Sequence, residues 1–563
     1  MWCGECLGGT WNQRTQGVFG SSIFRPRTKA LRVCWSVACL VVTLVITSSR
    51  FAQAEETSES VTSYPELQQL AKERAQAEYI PPPQVPESLS GLNYDGMRMI
   101  AFRADRAVHL QGQQPFRLEF FHKGYVQQSD VSVNLIRDGA VVPIKFTKKN
   151  FDYRGDIANL EIPDDLGFAG FRVVGHFPGR RDVEEMLTFL GASYFRGRAE
   201  KHVYGSSARG LAIDSGLNKP EEFPAFREFW VFDSKSDTTP RTFRVLALLD
   251  SPSVVGAYDF QMAPGRERMD LDVTATLYFR RVPEKVGLAP LTSMWIWGDG
   301  LPGPEGDSRP EVHDADGLLV QGGDGRWFWR ALNHQTYPSL VNLGHPDFKG
   351  YGVIQRDTDP DHYDDQEARY HARPSIWIQP KEGWPAGSLE LLELDARHEG
   401  IDNIAAWWVP RDPPRIGEPM QYSYQLSFMS ADLIEEDVAR AVAHRIDRLE
   451  DGQIRLEIDF RGPALAQRSS GSPPDVQLTT IRATVDQHAC RQQSDGTWTA
   501  EIVITPTSTD PFELQATLAD QGKPISEQWS ILCPLKPPHL QLPPWRLKEL
   551  EQVPQLDQEE VNP

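Results

Sequence analysis

The chain has 563 residues, of which 40% are hydrophobic and 24% charged, and its formal net charge is −20. Because this length exceeds what one ordinary hydrophobic core organises, we predict two folded domains. The acidic balance argues against nucleic acid and anionic lipid as partners, and it is compatible with a neutral polymer such as a polysaccharide.

The N-terminus has the pattern of an export signal. Four basic residues between positions 25 and 32 precede the apolar run CWSVACLVVTLVIT (34–47). This run is too short to cross a bilayer comfortably, but it fits a signal-peptide core. Ala52 and Ala54 follow with the spacing that a signal peptidase reads. We therefore predict residues 1–54 as a signal peptide cleaved after Ala54, with an uncleaved anchor as the alternative.

Cysteine usage agrees with export. Four of the six cysteines lie in the predicted signal, which leaves Cys490 and Cys533 in the mature chain. An isolated pair in an exported protein is a candidate disulfide. Two buried thiols are the alternative, because cysteine is often simply buried.

The mature chain begins with a predicted lead-in segment, residues 55–95. Its stretch YPELQQLAKERAQAEY (64–79) has a helix-forming composition, and IPPPQVP then interrupts the pattern. Residues 96–410 contain short runs rich in β-branched and aromatic residues, such as LDVTATLYFRR and SLELLELD, separated by Gly, Pro and Asp. Since neither βαβ alternation nor a fixed repeat is present, we predict an all-β fold with a large β-sandwich here.

A second, smaller β domain is predicted for residues 411–535. The proline-rich stretch WWVPRDPPRIGEP (407–419) is a candidate linker, since proline cannot continue a central strand. Strand-like runs beyond about 452 amount to the size of an immunoglobulin-like sandwich. Residues 431–447 are ambiguous between helix and strand. Residues 536–563, rich in Pro, Gln and Glu, are predicted to be a flexible tail.

The stretch RPEVHDADG (309–317) concentrates groups that could carry chemistry. As a calcium loop it is only a fragment, and His313 has no nearby histidine to share a zinc ion, so we expect no metal and no cofactor. Asp316 and Gly317 suit a β-turn, in which the Asp side chain bonds nearby backbone amides. Asp314 is left as a candidate acid–base carboxylate.

A second carboxylate occurs in HEGIDNIAAWW (398–408). Asp402 precedes an apolar strand-like run, where desolvation beside Trp407 would raise its pKa, while a turn that starts the strand is the alternative reading. Inverting glycoside hydrolysis needs such a pair, one carboxyl as acid and one as base, roughly 6.5–9.5 Å apart.

Long polar and aromatic side chains surround these candidates in the sequence. Trp327 and Trp329, two positions apart, would share one face of a strand, as a stacking platform for sugars or as a core stripe. The stretch GVIQRDTDPDHYDDQEARYHARPSIWIQP (352–380) suits a groove wall that bonds hydroxyl groups. From these stretches and from HEGIDNIAAWW we select five predicted substrate-binding residues: Trp327, Trp329, Arg356, Arg373 and Trp407.

Six stretches in the same order resemble one known family. They are FLGASYFR, YGSSARGLAID, EEFPAFREFW, RPEVHDADGL, EARYHARPSIW and DNIAAWW, spread between positions 189 and 408. They look like the periplasmic glucan biosynthesis proteins of the G/D type, which act on osmoregulated periplasmic glucans. The resemblance covers most of residues 90–535 and is specific because the motifs are separated and ordered.

The resemblance implies a galactose-mutarotase-like sandwich, then an immunoglobulin-like domain, with the substrate groove on the first. It implies a periplasmic protein acting on linear β-1,2-glucan, similar to anomer-inverting endo-β-1,2-glucanases of the D type. By motif, Asp402 would be the general acid, Asp314 the general base, and Tyr370 a support of the proton path. A homodimer is also expected, and the absence of a twin-arginine signal favours the G type. The alternative is a non-catalytic scaffold that guides the glucan backbone to membrane-bound partners, and a membrane-bound glucan synthase is a candidate partner.

Overall fold

The computed structural model describes residues 61–111, 116–233, 242–344, 347–430, 433–434, 437–466 and 468–542. The predicted signal peptide with its cleavage site, and residues 543–563 of the predicted tail, lie outside the described residues. Among those that are described, no helix combines the length and apolar character needed to cross a bilayer.

The described residues form mostly β-strands, which confirms the all-β prediction. The α-helices are α1 (Tyr64–Ala75), α2 (Glu87–Ser90), α3 (Tyr94–Arg98) and α4 (Pro463–Ala466). The first strands are β1 (Ile100–Phe102), β2 (Val108–His109), β3 (Arg117–Phe121), β4 (Ser132–Arg137), β5 (Ala140–Ile144), β6 (Phe151–Tyr153), β7 (Gly170–Gly175), β8 (Glu184–Leu190), β9 (Tyr194–Gly197), β10 (Ser207–Arg209), β11 (Leu211–Ile213), β12 (Ala225–Phe232), β13 (Phe243–Asp250), β14 (Val254–Ala263), β15 (Arg268–Phe279), β16 (Val286–Ser293) and β17 (Trp295–Trp297).

The later strands continue the same pattern. They are β18 (Val312–His313), β19 (Gly317–Gly322), β20 (Trp327–Ala331), β21 (Ser339–Asn342), β22 (Phe348–Ile354), β23 (Ser375–Pro380), β24 (Gly387–Glu393), β25 (Ile404–Pro410), β26 (Met420–Met429), β27 (Arg440–Arg448), β28 (Ile454–Arg461), β29 (Asp475–Ile481), β30 (Ala483–Gln492), β31 (Trp498–Pro506), β32 (Phe512–Asp520), β33 (Lys523–Pro524) and β34 (Gln528–Cys533).

Two large sheets enclose the main hydrophobic core. The first has the order β2-β3-β7-β8-β9-β10-β16-β25-β24-β21, with β11 also pairing with β16. The second has the order β29-β32-β34-β20-β19-β22-β23-β26-β15-β14-β13-β12-β4-β5, with β33 on β32. Buried residues of both sheets, such as Phe171, Leu391, Tyr258 and Leu271, belong to one cluster, so the two sheets pack face to face as a sandwich.

The helix α1 covers the outer face of the second sheet. Pro65 lies in its first turn, where the missing N–H costs no helical hydrogen bond. Leu67, Leu70 and Ala71 are buried at helical spacing and pack against residues of β12, β13 and β14. Tyr64 Oη also lies 2.9 Å from Thr276 Oγ1. The predicted helix of the lead-in segment is therefore present, and it ends at Ala75.

A smaller core lies between the four-stranded sheet β27-β28-β31-β30 and the end of the second large sheet formed by β29, β32, β34 and β20. Alternation along β32 places Phe512, Leu514, Ala516 and Leu518 in this core. Because β20 of the larger sandwich pairs in parallel with β34, one continuous sheet serves both cores.

The structure adds three details to the predicted organisation. The strand β26 pairs with β15 and β23 in the larger sandwich, so the change to the smaller core comes after Met429 and not at residue 410. The ambiguous stretch 431–447 contains strand β27, which starts at Arg440. The start of the predicted flexible tail is ordered against the larger core, where Leu540 packs.

The predicted disulfide is wrong, because Cys490 and Cys533 are free thiols. Cys490 lies on β30 of the four-stranded sheet, and Cys533 ends β34 of the large sheet on the other side of the smaller core. Packed sheets are separated by about 10 Å, which exceeds the Cα separation that a disulfide spans. Burial raises the pKa of the Cys533 thiol to about 11.

Candidate active site

The two candidate carboxylates lie on opposite sides of one short strand segment, residues 293–295. On one side Ser293 pairs with Ile404, and Asn403 accepts the Trp295 N–H at 2.9 Å through its side chain. On the other side the Asp314 N–H donates to the Met294 carbonyl at 2.8 Å. Each backbone link corresponds to one strand spacing of about 4.8 Å, so the backbones of Ile404 and Asp314 lie roughly 10 Å apart across the segment.

Asp402 lies two residues before β25, with 23% of its side chain exposed. Burial raises the pKa of Asp402, the negative charge of Asp314 raises it further, and the Arg196 guanidinium opposes this shift. Arg196 Nη2 lies 3.5 Å from Asp402 Oδ2. A carboxyl group that stays protonated to higher pH than usual is the electrostatic condition for a general acid.

Asp314 is buried at 4% exposure and forms an ion pair with Arg373. The Arg373 guanidinium stacks 4.3 Å from the ring centre of Tyr370, and its Nε donates to the Ala368 carbonyl at 3.4 Å. The structure therefore brings Asp314, Arg373 and Tyr370 into direct contact, and Asp314 is close enough to shift the pKa of Asp402.

Tyr370 belongs to a loop that connects β22 with β23. Arg369, just before it, adopts a left-handed backbone with φ of 50°, which turns the chain back toward the sandwich. Gln355 Nε2 donates to the Tyr370 carbonyl at 3.2 Å and to Tyr363 Oη at 2.9 Å. Tyr370 is 1% exposed, and burial raises its pKa above the usual tyrosine range.

Arg309 joins the segments that carry the site. It is 7% exposed and forms ion pairs with Asp307 at 2.7 Å, Asp365 at 3.0 Å and Glu399 at 2.8 Å. Asp365 lies in the loop before Tyr370, and Glu399 lies shortly before Asp402. One buried guanidinium therefore holds three loops in register around the candidate carboxylates.

The family comparison decides what kind of protein carries this arrangement. Residues 63–533 match the family model "Periplasmic glucan biosynthesis protein, MdoG". The chain belongs to this family. Its relatives include glucans biosynthesis protein G of Pseudomonas paraeruginosa, 36% identical, with 82% of this chain and 91% of the relative covered. Glucans biosynthesis protein D 1 of Ralstonia nicotianae is also 36% identical (79% and 86% covered), and a probable D protein of Shewanella oneidensis is 34% identical (89% and 94% covered).

Membership in the glucan biosynthesis family confirms the resemblance seen in the six motifs, and it assigns the chain a role in periplasmic glucan biosynthesis with a glucan as its polymer. Relatives named G and D match at the same identity. The matched region includes every residue that forms the site around Asp314 and Asp402.

Four predicted glucan-binding residues are instead packed inside the protein. Trp327 and Trp329 are 5% and 4% exposed and belong to the smaller core. Trp407 is 1% exposed, and its Nε1 donates to Glu390 Oε2 at 3.2 Å. Arg356 stacks on Trp329 and pairs with buried Glu527. For Trp327 and Trp329, burial favours the core stripe, which was the alternative to a stacking platform.

The turn predicted at Asp316 and Gly317 is also wrong. Gly317 is the first residue of β19, and a Cβ there would lie 2.3 Å from the ring of Trp329. The Asp316 carboxylate accepts backbone N–H groups of Arg356 and Asp357, which belong to the segment after β22 and not to a local turn. Burial raises the pKa of Asp316 to about 6.

Sequence reasoning missed two site residues. Arg196 ends the quoted motif FLGASYFR, and Arg309 begins RPEVHDADG, but neither was given a role. Their partners, Asp402 and Glu399, are distant in sequence and adjacent only after folding. The sequence offered one indication: both arginines lie inside the quoted motifs, and the motif of Arg309 also contains the candidate carboxylate Asp314.

Proposed function

We propose that the protein is an exported periplasmic enzyme that cleaves linear β-1,2-glucan with inversion of the anomeric centre. The main observation in support is that Asp402 and Asp314 lie on either side of one strand segment, in different electrostatic environments. Asp402 is desolvated with a raised pKa, and Asp314 is ion-paired with Arg373. Two carboxyl groups in contrasting environments are the usual arrangement for separate acid and base roles.

In this mechanism Asp402 donates its proton to the glycosidic oxygen as the bond to the anomeric carbon breaks. Water attacks the opposite face of the sugar, and Asp314 accepts the proton from it. A backbone separation of about 10 Å lets the side chains approach the roughly 6.5–9.5 Å that an intervening water requires. Tyr370 supports the proton path beside Arg373, whose guanidinium orients the Asp314 carboxylate.

The remaining expectations belong to the same proposal. The signal peptide directs export and is removed after Ala54. The protein functions as a homodimer and has a membrane-bound glucan synthase as a partner. One observation favours a second candidate, a non-catalytic glucan guide. Arg196 pairs with Asp402 and Arg373 pairs with Asp314, and such paired polar groups also suit the binding of sugar hydroxyls.

The test is incubation of residues 55–563 with linear β-1,2-glucan. Oligosaccharide release is followed by chromatography, and NMR identifies the anomeric configuration of the newly released reducing ends. We expect α-configured products, and a loss of at least about 100-fold in rate for Asp402→Asn and Asp314→Asn. Asp395→Asn is the matched control, because this nearby carboxylate is 57% exposed and pairs with His334. Release that is unchanged in both site variants would refute the assignment, and binding without release would favour the guide.

A further inference from the structure

A small cavity lies where the two sandwiches meet, on the side of the segment 311–316 opposite Asp314. Its volume is about 20 Å³, enough for one water-sized occupant. The larger sandwich contributes Asp299, His313, Asp316 and Arg356 to its lining, and the smaller one contributes His444 and Trp529. We call it the junction cavity.

Three potential metal ligands lie together beside this cavity, and two of them, His313 and Asp316, line it. The donor atoms of Glu311, His313 and Asp316 all lie within 4.8 Å of one another. His313 Nε2 is 2.7 Å from Glu311 Oε2 and 3.7 Å from Asp316 Oδ1. Donors around a tetrahedral zinc ion are roughly 3.3–3.6 Å apart. The 3.7 Å separation is close to this value, and the 2.7 Å separation is a hydrogen bond that has to lengthen when an ion enters. His313 is 1% exposed, so the cluster is set inside the protein.

A second observation independently indicates an occupant. His444 is 5% exposed, and its Nε2 is buried without a hydrogen-bond partner. Its other ring nitrogen, Nδ1, lies 3.5 Å from Asp299 Oδ2. Buried polar atoms are nearly always bonded to protein or to ordered water. Because His444 also lines the junction cavity, a polar species in that cavity would give this nitrogen a partner.

We propose that Glu311, His313 and Asp316 bind a divalent transition-metal ion of the zinc type, with a metal-bound water in the junction cavity bonded to His444 Nε2. One imidazole and two carboxylates suit such an ion better than magnesium or calcium, which prefer oxygen ligands alone. Three protein ligands with one open position is the usual arrangement of a zinc site that keeps a water.

The sequence argued against a metal because His313 had no histidine partner nearby. The fold changes that argument, since His444 arrives from the smaller sandwich and reaches the same cavity. Asp314 lies between two proposed ligands, so the ion would fix the backbone that carries this residue. This role is separate from the proposed hydrolysis, and it can be tested without any assay of activity.

A neighbouring group of donors provides the control. Glu311, Asp357 and His362 also lie within 4.8 Å of one another, but the His362 side chain is 55% exposed and does not line the junction cavity. A metal at this outer group would depend on His362. A metal at the proposed group would depend on His313 and Asp316.

The experiment uses tag-free residues 55–563, stripped with a chelator and dialysed against micromolar Zn²⁺, with bound metal measured by mass spectrometry. We expect one zinc per chain, at least tenfold weaker binding in Glu311→Gln and Asp316→Asn, and unchanged binding in His362→Asn. Zinc should also raise the thermal midpoint of the wild type and not that of Glu311→Gln. Circular dichroism confirms that each variant is folded.

Three results would overturn the proposal. The first is the absence of stoichiometric zinc in the wild type, which would leave His313 as an ion-paired imidazolium and His444 bonded to water alone. The second is full retention of zinc in both Glu311→Gln and Asp316→Asn. The third is a loss confined to His362→Asn, which would move the ion to the outer group.

Discussion

The pairing of Arg356 with Glu527 gives the sharpest prediction about how the two sandwiches are held together. Arg356 Nη1 and Nη2 donate to the two carboxylate oxygens of Glu527 at 2.7 and 2.8 Å, and Nη1 also donates to the Ala441 carbonyl at 2.8 Å. The side chains are 7% and 0% exposed. Arg356→Met keeps much of the packing on Trp329 and removes the two guanidinium hydrogen bonds that the buried Glu527 accepts.

Removing one member of a buried ion pair costs about 3–5 kcal/mol, because the remaining charge loses its compensation. We therefore expect Arg356→Met to lower the free energy of unfolding by about that amount. The double variant Arg356→Met/Glu527→Gln should recover most of the loss. Its glutamine removes the charge and still accepts the Ala441 N–H, which now lies 2.8 Å from Glu527 Oε1.

The assay is urea unfolding at pH 7, followed by tryptophan fluorescence and circular dichroism. Arg326→Met is the matched control, since Arg326 is 62% exposed beside Asp324 and its removal should cost less than about 1 kcal/mol. The reasoning fails if Arg356→Met and the wild type have the same free energy of unfolding, or if the double variant is no more stable than the single one. A drop in glucan affinity of folded Arg356→Met would restore its predicted groove role.

Three further predictions concern charge and thiols. Arg196→Gln should move the alkaline limb of kcat/KM to higher pH, because this arginine lowers the pKa of Asp402, whereas Arg196→Lys should leave the limb in place. Burial lowers the pKa of His122 to about 4, so the stability it contributes is present above about pH 6.5 and lost as pH falls toward 4. In urea titrations, His122→Gln should reduce that acid loss by about 2–3 kcal/mol, and an unaltered pH dependence would contradict this. Reductant should not shift the thermal midpoint, since Cys490 and Cys533 are unlinked, and a downward shift would reveal a disulfide.

Local patterns in the sequence predicted local structure well. The period of α1 and the strand-rich composition follow from side-chain spacing, and both are present in the structure. The placement of β26 could not be read in this way, because its neighbours β15 and β23 are set by the whole sheet. A proline-rich stretch before a strand does not say which core that strand will join.

The site residues also differ in how far the sequence could predict them. Asp314 and Asp402 were selected from motifs, and the fold places them on either side of residues 293–295. Trp327 and Trp329 were also selected, but alternation describes only a shared face of a strand and not whether water or another sheet covers it. Long-range partners such as Arg196 depend on tertiary packing, which sequence spacing does not encode.

The parallel pairing of β20 with β34 has a practical consequence for expression. A chain truncated after Met429 would lack β34, and the main-chain groups of Phe328–Arg330 that now bond to it would become an open sheet edge. Such an edge recruits strands from other molecules. Shortened versions carrying only the first sandwich should therefore precipitate or assemble into oligomers. The two sandwiches should be expressed and purified together as one chain.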